Sequence, residues 1–274
     1  MQIGVFAKTF SATGAMPVFN AVKQAGYEVA QFNMACLGLP TMPENISPAA
    51  IEDVSNASAA SGVAIAAISG TYNMIHPDPT VRADGLARLA TIIRAAPSMG
   101  TRLVTLCTGT RDVKDQWKHH PDNSGKEAWH VLLGEMGKAI TLAEENNVDL
   151  GIEPELANVV SSAKQARRLI DELKSPRIRI VLDPANLFEV ALPSESQVII
   201  AQAIDLLRTR IVMAHAKDRR ANGEFTAAGS GVIDFPHFIR CLRSTGFDGP
   251  LVTHGLSEHE APTVAKFLRA VISA

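Results

Sequence analysis

The sequence predicts a (β/α)8 TIM barrel, an α/β fold formed as one domain over residues 1–274. Three observations carry this expectation. Short apolar runs alternate with longer amphipathic patterns eight times, at about 34 residues per unit across 274 residues. Strict alternation with right-handed crossovers makes the sheet parallel. No Gly/Ser-rich linker or shift in composition divides the chain. An open doubly wound sheet is the alternative, but no G-x-G-x-x-G follows the first apolar run, so its dinucleotide-binding form has no support.

The elements read in order as follows. Gln2–Phe6 is strand-like, and Met16–Gly26 is an amphipathic helix closed by its glycine. Glu28–Phe32 is a second strand, weakened by Glu28 and Gln31. Pro48–Ser61 reads as a helix with Ser47 as N-cap, Pro48 in the first turn and Gly62 as stop. Val63–Ser69 is strand three and Thr80–Met99 its helix, ended by Gly100. Leu103–Cys107 is strand four; the long polar segment Thr108–Gly125 then precedes the helix Lys126–Asn146. Val148–Glu153 and helix Val160–Leu173 form unit five; Ile178–Asp183 and Glu195–Arg208 form unit six. Ile211–His215 with Phe235–Thr245, and Leu251–His254 with Glu258–Ile272, complete units seven and eight.

Composition removes several classes of function. Twenty-six Lys+Arg against 28 Asp+Glu leave a net charge of −2, with no electrostatic footprint for nucleic acid or an anionic membrane. A hydrophobic content of 46% with 5% aromatics suits aliphatic packing of helices on a parallel sheet. Cys36, Cys107 and Cys241 are dispersed and odd in number, so a disulfide framework is not expected. The opening Met-Gln-Ile-Gly-Val-Phe has no charged n-region, and no apolar run reaches about 18 residues. The expectation is a cytoplasmic, reduced protein.

Catalytic groups of such barrels stand at the C-terminal ends of the strands. Here Glu153 ends strand five, Asp183 strand six, His215 strand seven and His254 strand eight. A single acidic residue at such a place is commonly a rim residue. Four ligand types in four consecutive units point to a shared site. Two carboxylates with two imidazoles suit Mn, Zn, Co or Fe better than Mg. A barrel mouth favours a metal with open positions over a closed structural site.

The stretches G-I-E-P-E (Gly151–Glu155), V-L-D-P-A-N-L-F (Val181–Phe188), A-H-A-K-D (Ala214–Asp218), G-S-G-V-I-D-F (Gly229–Phe235) and G-F-D-G-P-L-V-T-H-G (Gly246–Gly255) resemble the xylose-isomerase-like TIM-barrel superfamily. That superfamily includes sugar and sugar-phosphate isomerases and epimerases, inosose dehydratases and endonuclease IV. The resemblance implies that Glu153, Asp183 and His215 are metal ligands. The fourth ligand is usually a Glu, where this chain has His254. Asn186 stands where many relatives have a His. The endonuclease branch, which needs further His and Asp ligands, is disfavoured by Asn186, by the loop A-A-G-S-G and by the net charge. Dimers or tetramers are a further implication, so a homo-oligomer is expected.

Other residues carry more than one reading. Lys217 is a donor to a developing enediolate oxygen or a solvated loop residue. Glu153 or Glu155 is the candidate base; Glu155, two residues past Glu153, is otherwise a partner of the ligands or a surface carboxylate. Asn158 and Asn186 are donors to substrate hydroxyls or turn residues. His76, in the loop after strand three, is a substrate contact at the same mouth or a surface histidine. Trp117 stacks on a sugar ring or anchors its loop, and Arg219 binds an anion or is solvated. The expected function is a divalent-metal-dependent isomerase or epimerase of a sugar, sugar phosphate or polyol, acting through a metal-stabilised enediolate. A dehydratase and a sugar-binding barrel without catalysis are the alternatives; the partner is a small carbohydrate.

Overall fold

The computed structural model describes residues 1–274. Eight parallel strands close into a ring: β1 (Ile3–Phe6), β2 (Val29–Phe32), β3 (Ala64–Ser69), β4 (Leu103–Leu106), β5 (Asp149–Ile152), β6 (Ile178–Leu182), β7 (Ile211–Arg219) and β9 (Leu251–Thr253). Each pairs with the next, β9 pairs with β7, and β1 closes on β9 through Ile3, Gly4 and Val5. The helices α1 (Ala15–Gln24), α2 (Pro48–Ser61), α3 (Pro79–Met99), α4 (Lys126–Asn146), α5 (Ala163–Leu173), α6 (Pro193–Leu207), α7 (Phe235–Ser244) and α8 (Ala261–Ser273) pack outside. This is the expected TIM barrel rather than an open sheet. No helix is long and apolar enough to cross a membrane.

Local chemistry sets the element ends. Helix α2 has the predicted span: Ser47 Oγ accepts from the Ala50 N–H at 3.1 Å, and Gly62 closes it with φ 68°. Helix α5 begins three residues later than predicted, because Ser162 rather than an earlier residue caps it. Helix α6 starts at Pro193; Glu195 Oε2 reaches back to accept from the Leu192 N–H at 3.0 Å. Helix α8 starts at Ala261, since Glu258 instead accepts from Ser11 N and Oγ, each at 2.9 Å.

One strand is absent from the sequence reading. Strand β7 runs four residues past His215, and Phe225–Ala227 (β8) returns antiparallel against Lys217, Asp218 and Arg219. The E-F-T-A stretch is too short for alternation to declare itself. Asp218, fully buried, ties this hairpin to the barrel: its carboxylate accepts from the backbone N–H groups of Arg219, Gly229, Gly231 and Ile233 at 2.8–3.1 Å.

Strand parity builds the barrel interior. Ala67, Leu103, Val181, Met213 and Val252 form a separate buried cluster at the lower level. Gly4, Val29 and Gly151 complete that level, and the two glycines must be small. A Cβ on Gly4 would lie 2.6 Å from Val29 Cγ2, and one on Gly151 2.9 Å from Val181 Cγ2. Two residues further along each strand, the inward positions become Phe6, Gln31, Ser69, Thr105, Glu153, Asp183, His215 and His254. The apolar lower layer is thus a floor beneath a polar layer.

Candidate metal centre and substrate cavity

Above this floor opens a cavity of about 420 Å³, lined by Glu153, Glu155, Asn186, His215, Lys217 and His254 on one side. Phe6, Lys8, Asn33 and Thr71 line the other, and Trp117 reaches in from the β4–α4 loop. Glu153, Asp183, His215 and His254 each offer a ligand atom, and all four atoms lie within 4.8 Å of one another. Ligands about 2.0–2.3 Å from one ion occupy nearly that spread.

The imidazoles and carboxylates already hold one another in register. His215 Nδ1 is 3.1 Å from Glu153 Oε1, and His254 Nε2 is 3.1 Å from Asp183 Oδ2. The two rings meet edge to face with centroids 4.5 Å apart. Lys217 Nζ lies 3.5 Å from Asp183 Oδ2, and the Ala185 N–H donates to Asp183 Oδ1 at 2.8 Å.

His215 is oriented from behind by Gln31. Its Nε2–H donates to Gln31 Oε1 at 2.9 Å, while Gln31 Nε2 donates to Ser69 Oγ and Thr105 Oγ1, each at 3.3 Å. In this orientation the amide oxygen faces His215 and both hydroxyls accept from Nε2. With Nε2–H held by the amide oxygen, Nδ1 is the ring nitrogen that faces Glu153, and it would bind a cation on giving up its proton. Gln31 is nearly buried and belongs to β2, where it read only as a polar interruption. A polar residue in a parallel strand covered on both faces was the signal available.

Charge distribution follows from these contacts. Burial opposes ionisation of Glu153, but the His215 charge and hydrogen bond carry its carboxyl below the usual range. Burial likewise opposes ionisation of Asp183, and Lys217, His254 and His215 together hold it well below that range. Burial, with His215 alongside, lowers His254 and keeps that ring neutral with a lone pair. Glu155 differs. Burial and then the neighbouring Glu153 charge push its carboxyl up to about 7. Two ionised carboxylates, a neutral imidazole and a second imidazole directed by Gln31 form a donor set that fits a divalent ion.

The remaining predicted residues fall in different places. Asn186 is buried and donates from Nδ2 to Glu153 Oε1 at 2.8 Å. Asn158 lies beneath the cavity wall. Its Oδ1 accepts from the Gly109 N–H at 2.7 Å, and its Nδ2 is 3.5 Å from Glu155 Oε2. His76 is not among the residues lining the central cavity. Its Nδ1 accepts from the Asp78 N–H at 3.1 Å and its Nε2 is 3.3 Å from Val113 O, pinning the β4–α4 loop. Arg219 is buried, donates to Ala185 O and Gly223 O, and faces a second, adjoining cavity. Lys8, Gln31, Thr71 and Phe225 were not singled out in the sequence.

The sequence profile of the xylose isomerase-like TIM barrel family matches residues 19–271. The chain is 24% identical over 201 residues to L-ribulose-5-phosphate 3-epimerase of Shigella flexneri serotype 5b. That match covers 73% of this chain and spans 66% of the relative's own length. Among solved structures, 3-keto-D-glucoside 4-epimerase from E. coli superposes with a TM-score of 0.77 at 17% identity, covering 98% of this chain and 99% of that one. D-psicose 3-epimerase from Clostridium cellulolyticum H10 superposes with a TM-score of 0.75 at 15% identity, covering 99% of both chains. At these identities the structural likeness establishes the fold.

Proposed function

Because this chain belongs to the xylose isomerase-like TIM barrel family, we propose that it is a divalent-metal-dependent sugar epimerase or isomerase. One observation carries the reading: Glu153, Asp183, His215 and His254 converge within 4.8 Å beside a cavity that also presents Glu155 and Lys217. The names of the relatives support a carbohydrate substrate. The mixed nitrogen and oxygen donors favour Mn, Zn, Co or Fe over Mg. Bound there, such an ion supplies a Lewis acid for a carbonyl oxygen and its neighbouring hydroxyl.

The chain's own groups divide the remaining work. Glu155 stands outside the donor set and lines the cavity, so it takes the proton from the carbon beside the carbonyl. In an isomerisation it delivers that proton to the former carbonyl carbon; in an epimerisation it releases it while the opposite face of the same carbon takes a proton from solvent. Asn158 steadies that carboxylate from below. Lys217 Nζ, beside Asp183, donates toward the substrate oxygen that gains charge as the proton leaves. Glu153 and Asp183 remain ionised, and Gln31 keeps His215 in place. Trp117 overhangs the cavity and limits water.

Incubation with ketopentoses, ketohexoses and their phosphates in D2O tests this. An isomeric sugar that retains all its oxygens and carries one deuterium at the carbon beside the carbonyl is expected. Loss of water from the sugar would instead establish elimination. Glu155→Gln slows exchange by at least about 100-fold with an unchanged circular dichroism spectrum. Full turnover by chelator-stripped protein would refute metal dependence.

A further inference from the structure

Next to the substrate cavity lies a second one of about 510 Å³, formed along one arc of the barrel mouth. The two are joined, since Trp117, Glu155 and Asn186 line both. The arc begins at Trp117 in the β4–α4 loop, passes Leu156 and Asn186 beyond β5 and β6, and ends at Phe225 in the β7–β8 hairpin. Trp117 and Phe225, 49% and 47% exposed, are the only aromatic side chains of the chain that stand well exposed. Both face this compartment. Leaving two large rings in water forfeits the burial that the other aromatics gain.

Asn186 identifies the chemistry at the junction. Its Nδ2 must face the Glu153 carboxylate, which can only accept, so its Oδ1 points away. That oxygen is buried and has no hydrogen-bond partner. It requires a donor. A sugar hydroxyl donates; a phosphate dianion does not. The arginine that lines this compartment is also committed, and the nearby lysine serves the central cavity. Arg219 donates to Ala185 O and Gly223 O, and its plane is covered by the Phe225 ring at 4.0 Å. Lys217 Nζ lies 3.7 Å over the same ring and faces Asp183. Glu155 and Glu189 add negative charge to the wall, against which the exposed His119 and the indole N–H of Trp117 stand as neutral donors suited to hydroxyl oxygens.

We propose that this compartment is a subsite for a second, neutral, hydroxyl-bearing ring attached to the reacting sugar, so that the substrate is a glycoside rather than a sugar phosphate. The inference deepens the sugar-epimerase reading and rests on it. Stacking on Phe225 and Trp117 holds the second ring, and the Asn186 oxygen accepts from a hydroxyl near the linkage.

The test is calorimetric titration of the full-length protein, loaded with Mn²⁺, with five sugars and an ion. The sugars are D-glucose, D-fructose, maltose, cellobiose and turanose; the ion is inorganic phosphate. At least one disaccharide binds about five- to tenfold more tightly than its component monosaccharides. Phe225→Leu removes that preference, and Phe225→Tyr retains it. Inorganic phosphate does not displace the disaccharide. The inference is overturned by equal affinity for mono- and disaccharides, by a preference that survives Phe225→Leu, or by displacement with phosphate. It is equally overturned if Phe225→Leu alters only the oligomeric state, which would mean that a second copy covers these rings. Disaccharide preference without deuterium exchange on any sugar would retain the subsite and remove the epimerase reading. Exchange on monosaccharides without disaccharide preference would do the reverse.

Discussion

Replacing Gln31 by leucine removes the acceptor behind His215 while leaving the volume of the side chain nearly unchanged. In the native arrangement His215 Nε2–H donates to Gln31 Oε1 at 2.9 Å, and His215 is only 3% exposed, so no water replaces the lost partner. An unpaired buried N–H costs about 1–3 kcal/mol. The ring escapes that cost by rotating, which turns Nδ1 away from Glu153 and Asp183, or by changing tautomer, which puts the proton on Nδ1 and blocks its lone pair. The same 1–3 kcal/mol corresponds to roughly 5- to 150-fold in an equilibrium constant, which matches the roughly 10- to 100-fold loss of metal affinity typical when a ligating histidine loses its outer partner. Ser69 and Thr105 only rotate their hydroxyls, so they add little.

The assay is competition for Zn²⁺ or Co²⁺ between the protein and a chromophoric chelator, with circular dichroism as the control for folding. Gln31→Leu weakens metal binding about 10- to 100-fold. Gln31→Glu keeps an acceptor facing Nε2–H, and the two hydroxyls can donate to it, so affinity stays within about threefold of the parent. Wild-type affinity in Gln31→Leu would refute the reasoning. So would an equal loss in both variants, which would make the effect one of packing.

Further consequences concern the proposed ligands and the frame around them. His254→Ala lowers metal affinity by more than about tenfold, or about 1.4 kcal/mol, in the same competition; unchanged affinity would leave His254 merely an acceptor-bound neighbour of Asp183. Asp218→Asn turns an acceptor of four backbone N–H groups into a half-donor and costs about 2–4 kcal/mol in urea unfolding. Gly231→Ala places a Cβ 2.1 Å from Arg219 O and opens the same loop, so its cost and that of Asp218→Asn are not additive. Gly4→Ala overpacks the barrel floor against Val29 and lowers stability by about 1–3 kcal/mol, seen as a fall in Tm.

The barrel was legible because its determinants are local. Apolar runs, caps such as Ser47 and stops such as Gly62 act within a few residues of themselves. The four donors were legible for a related reason: each stands where an apolar run ends, and the ends of parallel strands share one face. Less was visible where a weak local pattern depends on a distant partner. The β7–β8 hairpin exists because Asp218 gathers the amides of Gly229, Gly231 and Ile233, an arrangement that no alternation in E-F-T-A announces. His76 shows the complementary case. It follows a strand and its position suggests the mouth, yet hydrogen bonds to the Asp78 N–H and toward Val113 O hold it beside the loop.

The sequence by itself therefore determined eight strand–helix units and the chemical types at their ends, since strand parity and helix periodicity are properties of the chain over short distances. Only the closed barrel decided which of those groups meet. His215 and Gln31 are 184 residues apart, and Asp183 and His254 are 71 apart. Closing β1 on β9 turns a row of strand ends into a ring, and only then do side chains from opposite parts of the sequence share one cavity. The unpaired Asn186 oxygen and the two exposed rings beside it belong to the same category. Whether a polar atom is satisfied, or an aromatic face covered, depends on every neighbour in space, and the order of residues along the chain does not contain that inventory.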